Sequence, residues 1–259
     1  MHNFSDALTA IPLFIAFRLG RRPPNRRDTY GYRRAEDLAG VFIIAMITLS
    51  AVIAGWQAID RLLHPRDLDN VGVLLAAGLV GFIGNEAVAL YRIREGNAIG
   101  SAALVADGYH ARTDGFTSLA VALGAVGVLA GFDQADPIVG LGISVAIFAV
   151  LRGAARQIYY RLMDAVDPEI VDRVEAVTAA NPGVLSTSDA RVRWQGHRLS
   201  ADITISVPGD LQVREGHATA EAVRHDLLHQ ITHLDQVHVH VDPQGDDPHA
   251  PVDDHHALR

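Results

Sequence analysis

The sequence predicts an α-helical membrane domain of several spans, followed by a small C-terminal α+β domain with a shortened ferredoxin-like order of elements. Long apolar stretches fill the first 163 residues, and strand-like alternation appears only near the end. Residues 1–163 carry 15 arginines and 13 acidic residues (net +2), whereas residues 164–259 carry 7 and 17 (net −10). We therefore expect a transmembrane domain at 1–163, a second domain at 164–243 and a disordered His- and Asp-rich tail at 244–259.

The apolar stretches are long enough to cross a bilayer. A spanning helix needs ~20 mostly apolar residues, and four stretches qualify, at 38–59, 71–91, 99–130 and 138–158. A fifth, 1–17, is short, and its charged amino terminus would begin inside the hydrocarbon. We therefore expect that the chain starts late and lacks one helix. A signal peptide fits less well, because this segment opens with His2 and Asp6.

The orientation follows from one basic loop after the first stretch. Loops rich in arginine stay in the cytoplasm, and this loop contains seven arginines, at positions 18, 21, 22, 26, 27, 33 and 34. Alternation of the later spans then places the acidic second domain in the cytoplasm. We expect a multi-pass protein of a bacterial inner membrane whose basic loop contacts lipid headgroups, and nucleic-acid binding is disfavoured beside so many spans.

Ionisable residues inside the apolar stretches form two similar motifs. His2 and Asp6 stand four residues apart, as do His110 and Asp114, so each pair projects from one helix face. Asp107 extends the second face. Two imidazoles and two carboxylates complete a tetrahedral site for Zn2+ or a similar ion.

Other interpretations of these motifs are weaker. Each His and Asp could simply pair within its own helix, but charges in a spanning segment are costly and this pattern occurs twice. A metalloprotease H-E-x-x-H site would need a glutamate next to a histidine, and none adjoins His2 or His110. The chain has no cysteine, which excludes disulfides, thiolate ligands and cysteine catalysis. An intramembrane hydrolase is disfavoured because no unliganded base lies beside the site.

The sequence of the second domain predicts a helix, two strands, a second helix and a last strand. The helix opens on Glu169 and ends near Ala180, and the strands 189–195 and 199–207 pair through Gly196 and His197. A second helix covers 213–231. In the last strand, 236–242, three valines alternate with His238, His240 and Asp242, so the polar side chains share one face.

Several motifs in one order resemble the cation diffusion facilitator family, dimeric antiporters that exchange divalent metal ions for protons. These are His2 and Asp6, Tyr30–Glu36, Leu62–Pro65, Ala106–Asp114, Ala135–Pro137 and Val239–Pro243. Family members have six spans, with the two motifs in the second and fifth, and this chain supplies the second, in part, through the sixth.

The resemblance implies a secondary transporter and not an enzyme. His2, Asp6, His110 and Asp114 would form the transport site between two helices, exposed to each side in turn. Zn2+ is the first expectation, and Cd2+, Co2+, Ni2+, Fe2+ and Mn2+ also fit the ligands. The resemblance also implies a homodimer joined through the cytoplasmic domains, in which His217, His240 and Asp242 bind regulatory metal.

Two alternatives stay open. Without its first helix, the chain could be a non-transporting metal-binding paralogue that dimerises with or regulates a full carrier. The cytoplasmic histidines, including the further candidates His197 and His238, could form only a nonspecific metal-buffering surface. A row at His225, His229 and His233 suits weak, exposed binding along one helix face.

Several other residues in the apolar stretches are expected to help the helices pack against one another. Glu86 and Asn85 either line the ion cavity or pair with arginine across helices, and we favour the structural role. Gly124, Gly127 and Gly131 are expected to allow close helix packing.

Overall fold

A computed structural model describes residues 2–64, 70–132 and 134–245, without the side chains of residues 2–10 and 136. The chain divides into two compact units, Met1–Leu162 and Met163–Arg259. The expected tail at 244–259 lies outside the described residues from position 246 onward.

The first unit contains five helices, one at each apolar stretch. They are α1 (His2–Gly20), α2 (Ala35–Leu63), α3 (Val71–Ile99), α4 (Ala102–Leu129) and α5 (Ala135–Leu162). Among the described residues, α2, α3 and the Pro137–Leu162 part of α5 are long and apolar enough to cross a membrane, and Ile11–Gly20 is a shorter apolar segment. Many large apolar side chains on these helices are exposed, including Trp56 and Val80 at 73% each. The predicted helical membrane domain is confirmed.

The interior of this unit joins α2, α4 and α5 through buried aliphatic side chains. Ile43 and Ile47 of α2 pack with Ala106 of α4 and Ile147 of α5. The C-terminal half of α1 joins them at one end, since Leu13 and Ala16 pack against Ala39 and Ala103, near the first turns of α2 and α4. Helix α1 therefore runs antiparallel to α2 and α4.

Helices α3 and α4 approach each other most closely at glycines. A β-carbon at Gly78 would lie 2.8 Å from the Ser118 carbonyl oxygen, and one at Gly108 would lie 3.0 Å from the Ile93 nitrogen. The expectation for Gly131 was wrong: its φ is +81°, and no atom of the described residues lies within 4 Å of a β-carbon placed there, so it shapes the turn after α4.

Buried polar contacts tie the first turns of α2 and α4 and the last turn of α5 together. Ser101, before α4, donates a hydrogen bond to Glu36 of α2 across 3.1 Å. Arg161, near the end of α5, donates to the Gly100 carbonyl oxygen across 2.9 Å. Because these side chains are at most 8% exposed, they close this end with directional bonds between three helices.

The basic loop between α1 and α2 contains an ordered turn. The Asn25 side-chain oxygen accepts hydrogen bonds from the Arg27 and Asp28 backbone N–H groups at 2.8 Å each. The Tyr32 hydroxyl donates to Asp28 across 2.7 Å. This hydrogen bond, with smaller contributions from burial and from the Asp28 charge, raises the pKa of Tyr32.

The second unit has the predicted order of helix, two strands, helix and strand. Its elements are α6 (Pro168–Ala179), β1 (Ser186–Gln195), β2 (Arg198–Val207), α7 (Val213–Gln230) and β3 (Leu234–Pro243). The sheet order is β1-β2-β3, with β1 and β2 antiparallel and β2 and β3 parallel. Both helices contribute to one core, through Val174, Val223 and Leu227, against Ile203 and Ile205 of β2. The predicted α+β fold is confirmed.

Candidate metal transport site

The His110 and Asp114 side chains lie next to each other inside the helix bundle. They occupy successive turns of α4, and His110 Nε2 is 3.7 Å from Asp114 Oδ2. The histidine side chain is 1% exposed and the aspartate side chain is 17% exposed. One imidazole and one carboxylate are therefore available to the same ion, as the motif predicts.

Both residues belong to the stripe of α4 that meets α1. Positions 103, 107, 110 and 114 follow one another at four- and three-residue spacing, which keeps them on one helix face. Ala103, the first of them, packs on Leu13 and Ala16 of α1. The stripe that carries the second motif therefore touches α1 at its Ala103 end.

The register of the two helices brings their motifs to a similar height. Asp6 precedes Leu13 by seven residues and His110 follows Ala103 by seven, so each backbone position is ~10 Å along its helix from a member of the same cluster, at ~1.5 Å per residue. Because the helices are antiparallel, both displacements have the same direction. The side chains of His2 and Asp6 lie outside the described part of the structure.

Two ion pairs cross between α3 and α4, and one of them involves Asp107 of this stripe. Arg112 binds Glu86 through two hydrogen bonds, of 3.1 Å from Nε and 2.7 Å from Nη2. Arg92 Nη1 lies 3.0 Å from Asp107 Oδ2. The favoured structural role of Glu86 is therefore confirmed, and Asn85 donates to the Gly81 carbonyl oxygen within its own helix. The Arg92–Asp107 pair was not foreseen, since the sequence does not show which arginine of α3 faces Asp107.

A cleft lies one turn beyond Asp114, toward the C-terminal end of α4. Its cavity volume is about 80 Å³, between α2, α4 and α5. Most of its walls are apolar, and its polar lining comes from Gln57, Arg61, Thr117 and Ser144. Thr117 follows Asp114 by three residues and therefore lies near it on the helix surface.

The cytoplasmic candidates are only partly brought together. His240 Nε2 lies 2.9 Å from Asp242 Oδ1 on β3, and His238 is exposed two residues before it. The valines of β3 face the core, where α7 packs: a β-carbon at Gly216 would lie 3.6 Å from Val241 Cγ1. His217, the next residue on α7, is exposed, so it belongs to the helix covering the face opposite to His240.

The described residues of one chain do not place a third metal ligand beside His240 and Asp242. Among the side chains that the structure describes, no group of three or more His, Asp or Glu residues could hold a metal ion. The expected row of His225, His229 and His233 along one helix face keeps only its first two members. His225 and His229 touch, with ring centroids 4.3 Å apart, but α7 ends at Gln230 and the His233 ring lies 5.9 Å from that of Trp194.

Comparisons with known proteins agree with this architecture. Residues 1–163 match the family model of the cation efflux transmembrane domain, and residues 166–244 match that of the cation efflux protein cytoplasmic domain. A probable cation efflux system protein of Mycobacterium tuberculosis is 57% identical over 243 residues, which cover 94% of this chain and 73% of that protein.

More distant matches were also found. The manganese efflux system protein MneP of Bacillus subtilis is 24% identical over 251 residues, covering 94% of this chain and 84% of its own. A solved MamM-CTD structure covers 30% of this chain and 95% of its own, with a TM-score of 0.30 and 22% sequence identity.

Proposed function

The chain belongs to the cation efflux family and is a membrane transporter of divalent metal cations, and we propose that it exports Zn2+ in exchange for protons by alternating access. Its C-terminal domain is cytoplasmic, and we propose a bacterial inner membrane as its location. Cd2+, Co2+, Fe2+ and Mn2+ are further candidate substrates, because ligand type alone does not separate these ions.

The observation that carries this proposal is the contact between the buried His110 and the half-buried Asp114, on the stripe of α4 that touches α1 at Ala103. Placing an imidazole and a carboxylate between apolar helices costs free energy of folding. Their presence there therefore indicates a function. His2 and Asp6 on α1 would supply the other two ligands, which gives Zn2+ two nitrogens and two oxygens in a tetrahedral arrangement.

Proton coupling follows from the chemistry of the histidine ligands. A metal ion binds only the neutral imidazole, so binding a proton and binding the metal exclude each other at His110. A proton entering from the far side would displace the ion, and an inwardly directed proton gradient would then drive export. The polar-lined cleft next to Thr117 supports access from that side.

The cytoplasmic domain would sense the same ion as a dimer. We propose that His240 and Asp242 are two ligands and that His217 contributes through dimerisation, because in one chain it lies on the helix that covers the opposite sheet face. His197 and His238 are further candidates. Two such domains would meet around a two-fold axis.

Transport by purified protein in sealed vesicles tests the proposal. With a pH gradient imposed, the wild-type protein should move Zn2+ against the proton flow, and Asp114→Ala should abolish that movement. Asp172→Ala removes an exposed carboxylate on α6 and serves as the matched control. Equal Zn2+ movement by wild-type protein and Asp114→Ala would refute the site assignment, and movement independent of the pH gradient would refute proton coupling.

A further inference from the structure

Asp107 is a second acidic side chain, beside Asp114, on the ligand-bearing stripe of α4. It precedes His110 by three residues, a spacing that puts neighbouring β-carbons ~5–6 Å apart on one face. Its side chain is 2% exposed, and its Oδ2 atom lies 3.0 Å from Arg92 Nη1. A buried carboxylate one turn from the ion site is therefore held by a cation from α3.

A further carboxylate ligand would change which ions the site prefers. Four ligands with two nitrogens suit tetrahedral Zn2+. Adding an oxygen ligand raises the coordination number and the oxygen share, both of which favour harder ions such as Mn2+. The partner of Asp107 thus bears directly on selectivity.

We infer that Arg92 determines the ion selectivity of the transport site by holding Asp107 out of the coordination sphere, so that the cation meets four protein ligands and not five. Arg92 is a positioning residue in this mechanism, since it acts through Asp107. The inference rests on the proposed transport site of His2, Asp6, His110 and Asp114.

The second ion pair between the same helices provides an internal control. Glu86 and Arg112 bind across α3 and α4 with 2.7 Å between Oε1 and Nη2. Arg112 follows His110 by two residues, which places it ~200° around the helix and away from the ligand stripe. Breaking this pair removes a similar helix contact without releasing a carboxylate toward the ion.

The coordination of Co2+, used as an optical probe in the purified full chain, tests the inference. The absorption difference between wild-type protein and Asp114→Ala isolates the membrane site. We expect strong tetrahedral bands in the wild type and weaker five- or six-coordinate bands in Arg92→Met. Tetrahedral bands should return in the double variant Arg92→Met/Asp107→Asn and persist in Arg112→Met. A tetrahedral spectrum in Arg92→Met would overturn the inference.

Asp107→Asn alone tests the same idea if Arg92→Met does not fold. The inference requires that this variant keep the wild-type spectrum, because Asp107 is not a ligand while Arg92 holds it. Loss of the tetrahedral bands would show that Asp107 already binds the ion and would overturn the inference.

Transport rates in vesicles give the corresponding functional readout. Arg92→Met should raise the ratio of Mn2+ to Zn2+ transport, about tenfold for ~1.4 kcal/mol of differential binding, and the double variant should restore the wild-type ratio. If Arg92→Met transports ions with the wild-type ratio of Mn2+ to Zn2+, the inference about Arg92 is contradicted and the proposed function is not. A wild-type protein that moves no divalent ion would instead contradict the proposed function.

Discussion

Ser101 donates a hydrogen bond to Glu36, which joins the start of α4 to the first turn of α2 across 3.1 Å. The two side chains are 0% and 2% exposed. Ser101 also caps α4, because its hydroxyl oxygen accepts a hydrogen bond from the Leu104 backbone N–H. One hydroxyl therefore stabilises a helix terminus and a contact between helices.

Replacing Ser101 by alanine should destabilise the protein by about 2 kcal/mol, since both the cap and a hydrogen bond to a buried carboxylate are lost. Thermal unfolding in detergent measures this loss of stability, with the amount of monodisperse protein as the signal. Ser101→Thr keeps a hydroxyl and should unfold close to the wild type. If the alanine and threonine variants unfold at the same temperature, the hydroxyl has no such role.

Gly78→Ala should weaken the packing of α3 on α4. The new β-carbon would lie 2.8 Å from the Ser118 carbonyl oxygen, and overpacking of this kind costs about 1–3 kcal/mol. Gly84→Ala is the control on the same helix, because no described atom lies within 4 Å of its β-carbon. It should be neutral or stabilising by up to ~1 kcal/mol. The same thermal assay compares them, and equal effects would contradict the packing argument.

Thr117→Phe should slow metal transport by filling the cleft next to Asp114, while leaving metal binding to the purified protein unchanged. Vesicle flux and equilibrium binding are measured on the same preparation. Leu123→Phe, at a side chain of α4 that is 45% exposed, adds an aromatic ring outside the cleft and should transport normally. Full flux through Thr117→Phe would mean that the cleft is not the ion's route.

Asp242→Ala should weaken Zn2+ binding to the cytoplasmic domain. The carboxylate lies 2.9 Å from His240 Nε2, and losing a ligand should reduce affinity by about tenfold or more, since even outer partners of ligands contribute that much. Calorimetry on the full chain in an Asp114→Ala background isolates this site. Asp210→Ala, an exposed residue after β2, is the control, and equal affinity in both variants would exclude Asp242 as a ligand.

Tyr32 should lose its proton at higher pH than an ordinary tyrosine, because its hydroxyl donates to Asp28 and this raises its pKa above 10.0. Asp28→Asn should move that transition to lower pH, since the accepting charge is removed. Tyrosinate absorbance during alkaline titration measures the shift, and Tyr32→Phe identifies the transition by deleting it. An unchanged titration curve in Asp28→Asn would contradict the proposed cause.

The sequence by itself determined the number, order and approximate bounds of the elements. Apolar length and periodicity are local properties, and they specify which residues form a helix or strand and which face is buried. For the same reason, the pairing of His110 with Asp114 and of His240 with Asp242 could be predicted from spacing within one element.

Only the tertiary structure decided which elements meet and at what distance. Arg92 opposite Asp107, Gly78 against Ser118 and the departure of His233 from the histidine row depend on residues far apart in the chain. His217 shows the same limit, because its helix packs on the sheet face opposite to His240. Contacts of this kind follow from how whole surfaces fit together, and local spacing carries no information about that fit.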